Sequence, residues 1–168
     1  GAKVETASLE GSRTIPLEDF ITGYRETVLQ KGEIIAAVRV PAPASRTIVR
    51  IHKVARRVDQ DISAISAAFA LEIEDGKITG LRAAFGGVAA RPVRAKEVEA
   101  ALIGKPWTLE TARAAATAVR QSVSPIDDAR GSAAYREAVC VNLIEKLWWE
   151  TAGPQDIPLS LDALEEVA

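Results

Sequence analysis

The sequence predicts an α+β fold: a three-stranded antiparallel sheet packed on a helical layer, preceded by a short β-rich unit. Three observations carry this reading. Between Ser63 and Phe85, apolar residues alternate with small or charged ones at period two on either side of Asp75-Gly76. From Pro92 to Thr151 the apolar spacing changes to three and four residues, the helical period. Ahead of both, Pro41-Ala42-Pro43-Ala44-Ser45 interrupts the pattern, because prolines so spaced hold the backbone extended. The predicted units are 1–41, 42–151 and a tail, 152–168.

Within the first unit, Ala2–Ala7 and Arg13–Ile15 read as short strands around the turn signal Glu10-Gly11-Ser12, followed by a turn or helical insert. A third apolar run, Glu33–Val40, is stopped by Pro41. In the second unit, Ile48–Arg57, Ser63–Glu74 and Lys77–Phe85 have strand character. Ile65, Ala67, Phe69, Leu71 and Ile73 fall on one face, and Ser66, Ala68, Ala70, Glu72 and Glu74 on the other. Asp75-Gly76 suits a two-residue hairpin whose central residues both take positive φ, which sets Glu74 opposite Lys77.

Three helices follow. Pro92 is placed to open the first, with Ala95, Val98 and Leu102 on one face and Gly104 ending it in the left-handed conformation. Thr108 is the expected N-cap of the second, with Leu109, Ala112, Ala116, Val119 and Val123 at helical spacing. Ser132 caps the third, where the rows Val139, Leu143, Leu147 and Cys140, Ile144, Trp148 form a broad apolar face.

Composition limits the functional classes. A chain of 168 residues can bury roughly 70% of its unfolded surface, enough for a substantial core. The net charge of -2 and pI of 5.6 argue against recognition of phosphate backbones, so no nucleic-acid partner is expected. Cys140 is the only cysteine, which excludes an internal disulfide and a cysteine-ligated zinc or iron-sulfur site built from this chain alone. No apolar stretch reaches the length of a membrane span and no signal-peptide order is present, so a soluble cytoplasmic protein without a membrane partner is expected. The lack of methionine and the start at Gly1 suggest a piece of a longer protein.

Residues with chemical potential are few. His52 is the only histidine, so multi-histidine metal ligation is excluded, and it reads as a strand residue without chemistry. Phe85-Gly86-Gly87 lacks the spacing of a phosphate-binding loop and reads as a tight turn leading to the helix after Pro92. The densest cluster of charge is Lys53 to Ser63, at a strand end, where rigid scaffolds commonly present binding groups. On pattern alone a solvated, ion-paired turn is the favoured explanation.

The run RRVDQDISAISAAFALEIEDGKITGLRAAFGGVAARPVRA, residues 56–95, resembles the segment opening the C-terminal domain of the flavoprotein subunit of xanthine dehydrogenases, shared with carbon monoxide dehydrogenase medium subunits. The resemblance extends upstream through Arg13–Phe20, Gly23-Tyr24-Arg25 and Gly32-Glu33-Ile34-Ile35, and downstream through Ile103–Trp107 and Ser132–Arg136. It implies membership of the molybdenum hydroxylase family, with residues 1–41 the end of an FAD-binding subdomain. The cofactor implied is FAD, whose site residues outside this chain would complete, with iron-sulfur clusters and molybdopterin on partner modules. The implied partners are the upstream FAD and iron-sulfur portion, the molybdopterin subunit, and NAD or oxygen as electron acceptor.

By the same resemblance, Ile35 matches an apolar residue packed on the flavin ring and Lys53 a lysine near it, while Asp59, Gln60 and Asp61 match an acidic loop beside the ring. No residue of this chain matches a catalytic one, and the chain alone is expected to be inactive and to retain little FAD. The competing reading is a cofactor-free assembly domain in which Trp107, Trp148 and Trp149 contact other subunits.

Overall fold

A computed structural model of the chain describes residues 1–57 and 62–154. Its first unit contains β1 (Lys3–Ser8), β2 (Gly11–Pro16), α1 (Leu17–Phe20), β3 (Ile21–Gly23), β4 (Glu26–Thr27) and β5 (Ile34–Arg39). An antiparallel sheet has the order β2-β1-β5, with β3 and β4 as a separate ribbon. The first turn is tighter than predicted: Ser8 pairs with Gly11, leaving Leu9-Glu10 as the connection, and Gly11 takes a φ of 142° as the first residue of β2. On the inner face Val4 and Thr6 are buried, and Phe20 of α1 is buried too. Coil from Val40 to Thr47 leads to the second unit.

That unit contains β6 (Ile48–Val54), β7 (Ile65–Glu74), β8 (Lys77–Gly86), β9 (Val93–Arg94), α2 (Lys96–Leu102), α3 (Leu109–Ser122) and α4 (Ala133–Thr151). The expected three-stranded antiparallel sheet on a helical layer is present, enlarged by the two-residue β9, in the order β6-β7-β8-β9. Asp75 and Gly76 take φ of 49° and 72°, and Glu74 pairs with Lys77, as the hairpin signal requires. A register shift between Glu72 and Ile73 then places Ile73 opposite Ile78 while Leu71 stays opposite Leu81. The extra residue brings Ile78 and Leu81 onto the same buried face despite their odd spacing.

Pro92 does not open a helix. Val93 and Arg94 pair with Phe85 and Ala84, and the Ala95 N–H donates to Ala83 O at 2.8 Å, so the chain continues the ladder before α2 begins at Lys96. Glu99 favours this arrangement: its carboxylate accepts from the Ala83 N–H at 2.9 Å and from the Arg94 guanidinium, filling a need that backbone pairing leaves open. Gly86-Gly87 correspondingly feed β9 and not a helix. The remaining signals hold: Gly104 has a φ of 82°, and Thr108 and Ser132 accept from the N–H groups of Thr111 and Tyr135 at 3.2 and 3.1 Å.

The core lies between the sheet and the helices. Phe69 and Phe85 meet edge to face at 5.8 Å, and Val98, Leu102, Val119, Ile144 and Leu147 close over them. The two units touch where Arg91 donates to the carbonyls of Glu18 and Ile21 at 3.1 and 3.2 Å, with Arg94 3.8 Å from Glu18.

Candidate functional site

Ile35 lies in β5, at an irregularity. Val4 pairs with Val38 and Glu5 with Ala37, but Thr6 pairs with Ile35, so Ala36 is the extra residue of a β-bulge. A bulge re-aims the side chains on either side of it. Ile35 and Val38, three apart, therefore share the face that buries Val4 and Thr6, yet remain 48% and 53% exposed. The strand is held in this pose from its first turn. Glu33 accepts from Arg13 Nε and Nη2 at 2.8 and 2.6 Å, from the Gln30 N–H at 2.8 Å and from the Thr6 hydroxyl. Arg13, then Thr6 and the Gln30 N–H, hold the carboxyl of Glu33 down at about 2. Gly32, at φ 82°, makes the turn into it.

Lys53 occupies the end of β6, exposed, and its side chain has no ion-pair or hydrogen-bond partner among the described residues. Its register partner is Ser66, which pairs in turn with Gly86; the next row holds Ile51, Ala68 and Ala84. Ser66 packs closely on Gly86, where an added Cβ would lie 2.5 Å from the Ser66 hydroxyl. Asp59, Gln60 and Asp61 lie outside the described residues.

On the opposite face of β6, His52 stands 3.3 Å from Glu150 of α4, with Arg50 and Lys146 at 3.6 and 3.1 Å from the same carboxylate. His52 Nε2 and Glu150 Oε2 are buried and poorly aligned, so no hydrogen bond joins them. Burial lowers the pKa of His52, and Lys146 and Arg50 push the same way against Glu150. Burial also pushes the Cys140 thiol up to about 12. Among the described residues no three His, Cys, Asp or Glu side chains gather as metal ligands, and no helix is long and apolar enough to cross a membrane.

Sequence reasoning missed Arg136. Its side chain is 5% exposed and donates to Ala64 O at 2.8 Å, Gly87 O at 2.6 Å, Gly131 O at 3.4 Å and Asp128 Oδ1 at 2.6 Å. The only signal was its place beside Tyr135 in the downstream motif. Trp107, proposed as a surface contact, is a core residue: it is 6% exposed and its indole N–H donates to Thr151 at 2.8 Å. Trp148 and Trp149 are half-buried and stack edge to face on one another.

The structure thus leaves Ile35 in one sheet and Lys53 in another, and a half-exposed aliphatic side chain and a cation without a side-chain partner among the described residues are groups that would suit a flavin. The fold is that of a flavoprotein-subunit module. It matches the structure of carbon monoxide dehydrogenase from Hydrogenophaga pseudoflava at TM-score 0.81 and 32% identity, covering 86% of this chain and 50% of that one. Residues 50–151 match the CO dehydrogenase flavoprotein C-terminal domain, and residues 1–43 match the FAD binding domain in molybdopterin dehydrogenase. The chain belongs to the FAD-subunit family of the molybdenum hydroxylases. It is 34% identical to the glyceraldehyde dehydrogenase medium chain of Sulfolobus acidocaldarius over 90% of its length and 53% of that protein's. It is 31% identical to the xanthine dehydrogenase FAD-binding subunit of Escherichia coli O157:H7, over 87% of this chain and 50% of that one. The chain thus spans about half the length of the curated relatives it matches.

Proposed function

We propose that this chain completes the FAD site of a xanthine dehydrogenase-like molybdenum hydroxylase, with Ile35 packed on the flavin ring and Lys53 beside its polar edge. Residues 1–41 act as the end of the FAD-binding subdomain, 42–151 as the domain that closes over the ring, and 152–168 as a tail. The acidic segment Asp59-Gln60-Asp61 belongs to the same reading, although it lies outside the described residues. What supports it is a bulge-exposed Ile35 in the first sheet and, in the family-matched second sheet, an exposed Lys53 with no side-chain partner among the described residues.

Bound FAD supplies hydride and single-electron transfer. The chain's residues would shape its surroundings. Ile35 excludes water from the ring face, and Lys53 offers positive charge that favours the anionic reduced form over the neutral one. Electrons would arrive from molybdopterin through iron-sulfur clusters on partner modules and leave to NAD or oxygen, in the cytoplasm. Xanthine or a related purine is the substrate class this reading favours, on the likeness of the segment after Lys53 to that branch.

The test compares the full complex with this chain alone. The reading predicts a visible flavin band in the complex and almost none in the isolated chain, which would be inactive. A complex without flavin, or stoichiometric FAD binding by the 168 residues alone, contradicts it.

A further inference from the structure

We propose that Arg136, held by Asp128, is a positioning residue for the flavin: it clamps the stem of the β6–β7 connection and thereby sets where Lys53 stands. The inference rests on the flavin reading of Lys53 and adds to it a residue far along the chain.

Burying a guanidinium is costly unless its donors are met. Here one side chain meets acceptors on three segments: Ala64 at the start of β7, Gly87 just past β8, and Asp128 and Gly131 in the loop before α4. Those segments meet very closely. A Cβ on Gly87 would lie 2.4 Å from Ala64 O and 3.2 Å from Arg136 Nη1, so glycine alone permits the approach. Ala64 is gripped from both sides: its carbonyl accepts from Arg136, and its N–H donates to Val54 O at 2.8 Å. Val54 directly follows Lys53. The other arm of the connection is tied to the same loop, since Arg56 Nη1 donates to Ala129 O at 2.9 Å.

The node lies at the end of the sheet, bordering the core at Ile65, Val88 and Cys140. Releasing it frees Ala64 and loosens its bond to Val54. The backbone carrying Lys53 then frays and the cation moves away from the ring edge. Asp128 orients the guanidinium, and the Arg130 N–H and Arg136 hold its carboxylate charged, below the usual range.

The test is a double-mutant cycle in the FAD-loaded full complex, reading the flavin reduction equilibrium against a reference dye. Lys53→Gln should shift it toward oxidised flavin by about fivefold, the size of one nearby charge in a partly hydrated site. Arg136→Lys and Asp128→Asn should each shift it the same way by about two- to threefold, and by nothing further once Lys53 is Gln. Asp128→Asn leaves Arg136 itself intact while removing the charge that orients it, and carries the test if Arg136→Lys does not fold. If Lys53→Gln leaves the equilibrium unchanged, the flavin reading itself fails. If Lys53→Gln shifts it and the clamp variants only lower stability, or their shifts persist in the Lys53→Gln background, the clamp is overturned while the flavin reading stands.

Discussion

Gly87→Ala and Gly104→Ala form a matched pair that isolates the cost of the close approach around Arg136. The two glycines have nearly the same positive φ, 78° and 82°, so each substitution carries a similar left-handed strain, about 1–2 kcal/mol. At Gly104 nothing lies within 4 Å of the new Cβ, and that strain is the whole effect. At Gly87 the Cβ falls 2.4 Å from Ala64 O, where ordinary contact begins near 3.4 Å, so the difference of 1 Å must come from moving one segment. The movement stretches the bonds from Arg136 to Ala64 O or Gly87 O, and a hydrogen bond from a charged donor contributes about 1.5–3 kcal/mol. Gly87→Ala should therefore destabilise by about 2.5–5 kcal/mol and Gly104→Ala by about 1–2. Urea unfolding of both variants beside the parent reads the difference. Equal destabilisation would refute the reasoning, because it would show that Ala64, Gly87 and Arg136 do not constrain one another.

Three further outcomes follow from the same geometry. Glu33 has a folded pKa depressed to about 2, so its contribution is complete above the unfolded carboxyl value, about 4.5, and is lost as pH falls toward 2; amide exchange in β5 should accelerate over that window, and Glu33→Gln should remove the pH dependence. His52 has its pKa lowered by burial, so stability should be complete above about 6.5 and decline as pH falls below it, a slope in urea unfolding that His52→Gln should flatten. The Cys140 thiol, buried and pushed up to about 12, should resist a disulfide reagent at mildly alkaline pH and react only after unfolding.

Much of the architecture was legible because it is written in local periodicity. The alternation along β7, the Asp75-Gly76 turn and the caps at Thr108 and Ser132 each depend on neighbours in sequence, and each is present. Pro92 misled for a physical reason. Its preference for a helix start is a weak local signal, overridden by Glu99 accepting from Ala83 and Arg94, a contact the pattern cannot reveal. The bulges at Ala36 and Thr79 were equally invisible, because a one-residue register shift leaves composition unchanged while redirecting Ile35 and Ile78. Ile35 and Lys53 could be named from motif resemblance, but their exposure and the absence of a partner for Lys53 among the described residues are properties of the fold. Arg136 was hidden because its acceptors are backbone carbonyls from distant segments, and a carbonyl has no sequence signature.

The central claim is that this chain presents Ile35 and Lys53 to a flavin. A structure of the FAD-loaded full complex tests it most directly. The account predicts the isoalloxazine in van der Waals contact with Ile35 and its polar edge within hydrogen-bond reach of Lys53, directly or through one water. A ring held elsewhere, with Lys53 facing solvent and Ile35 covered by protein, would contradict it.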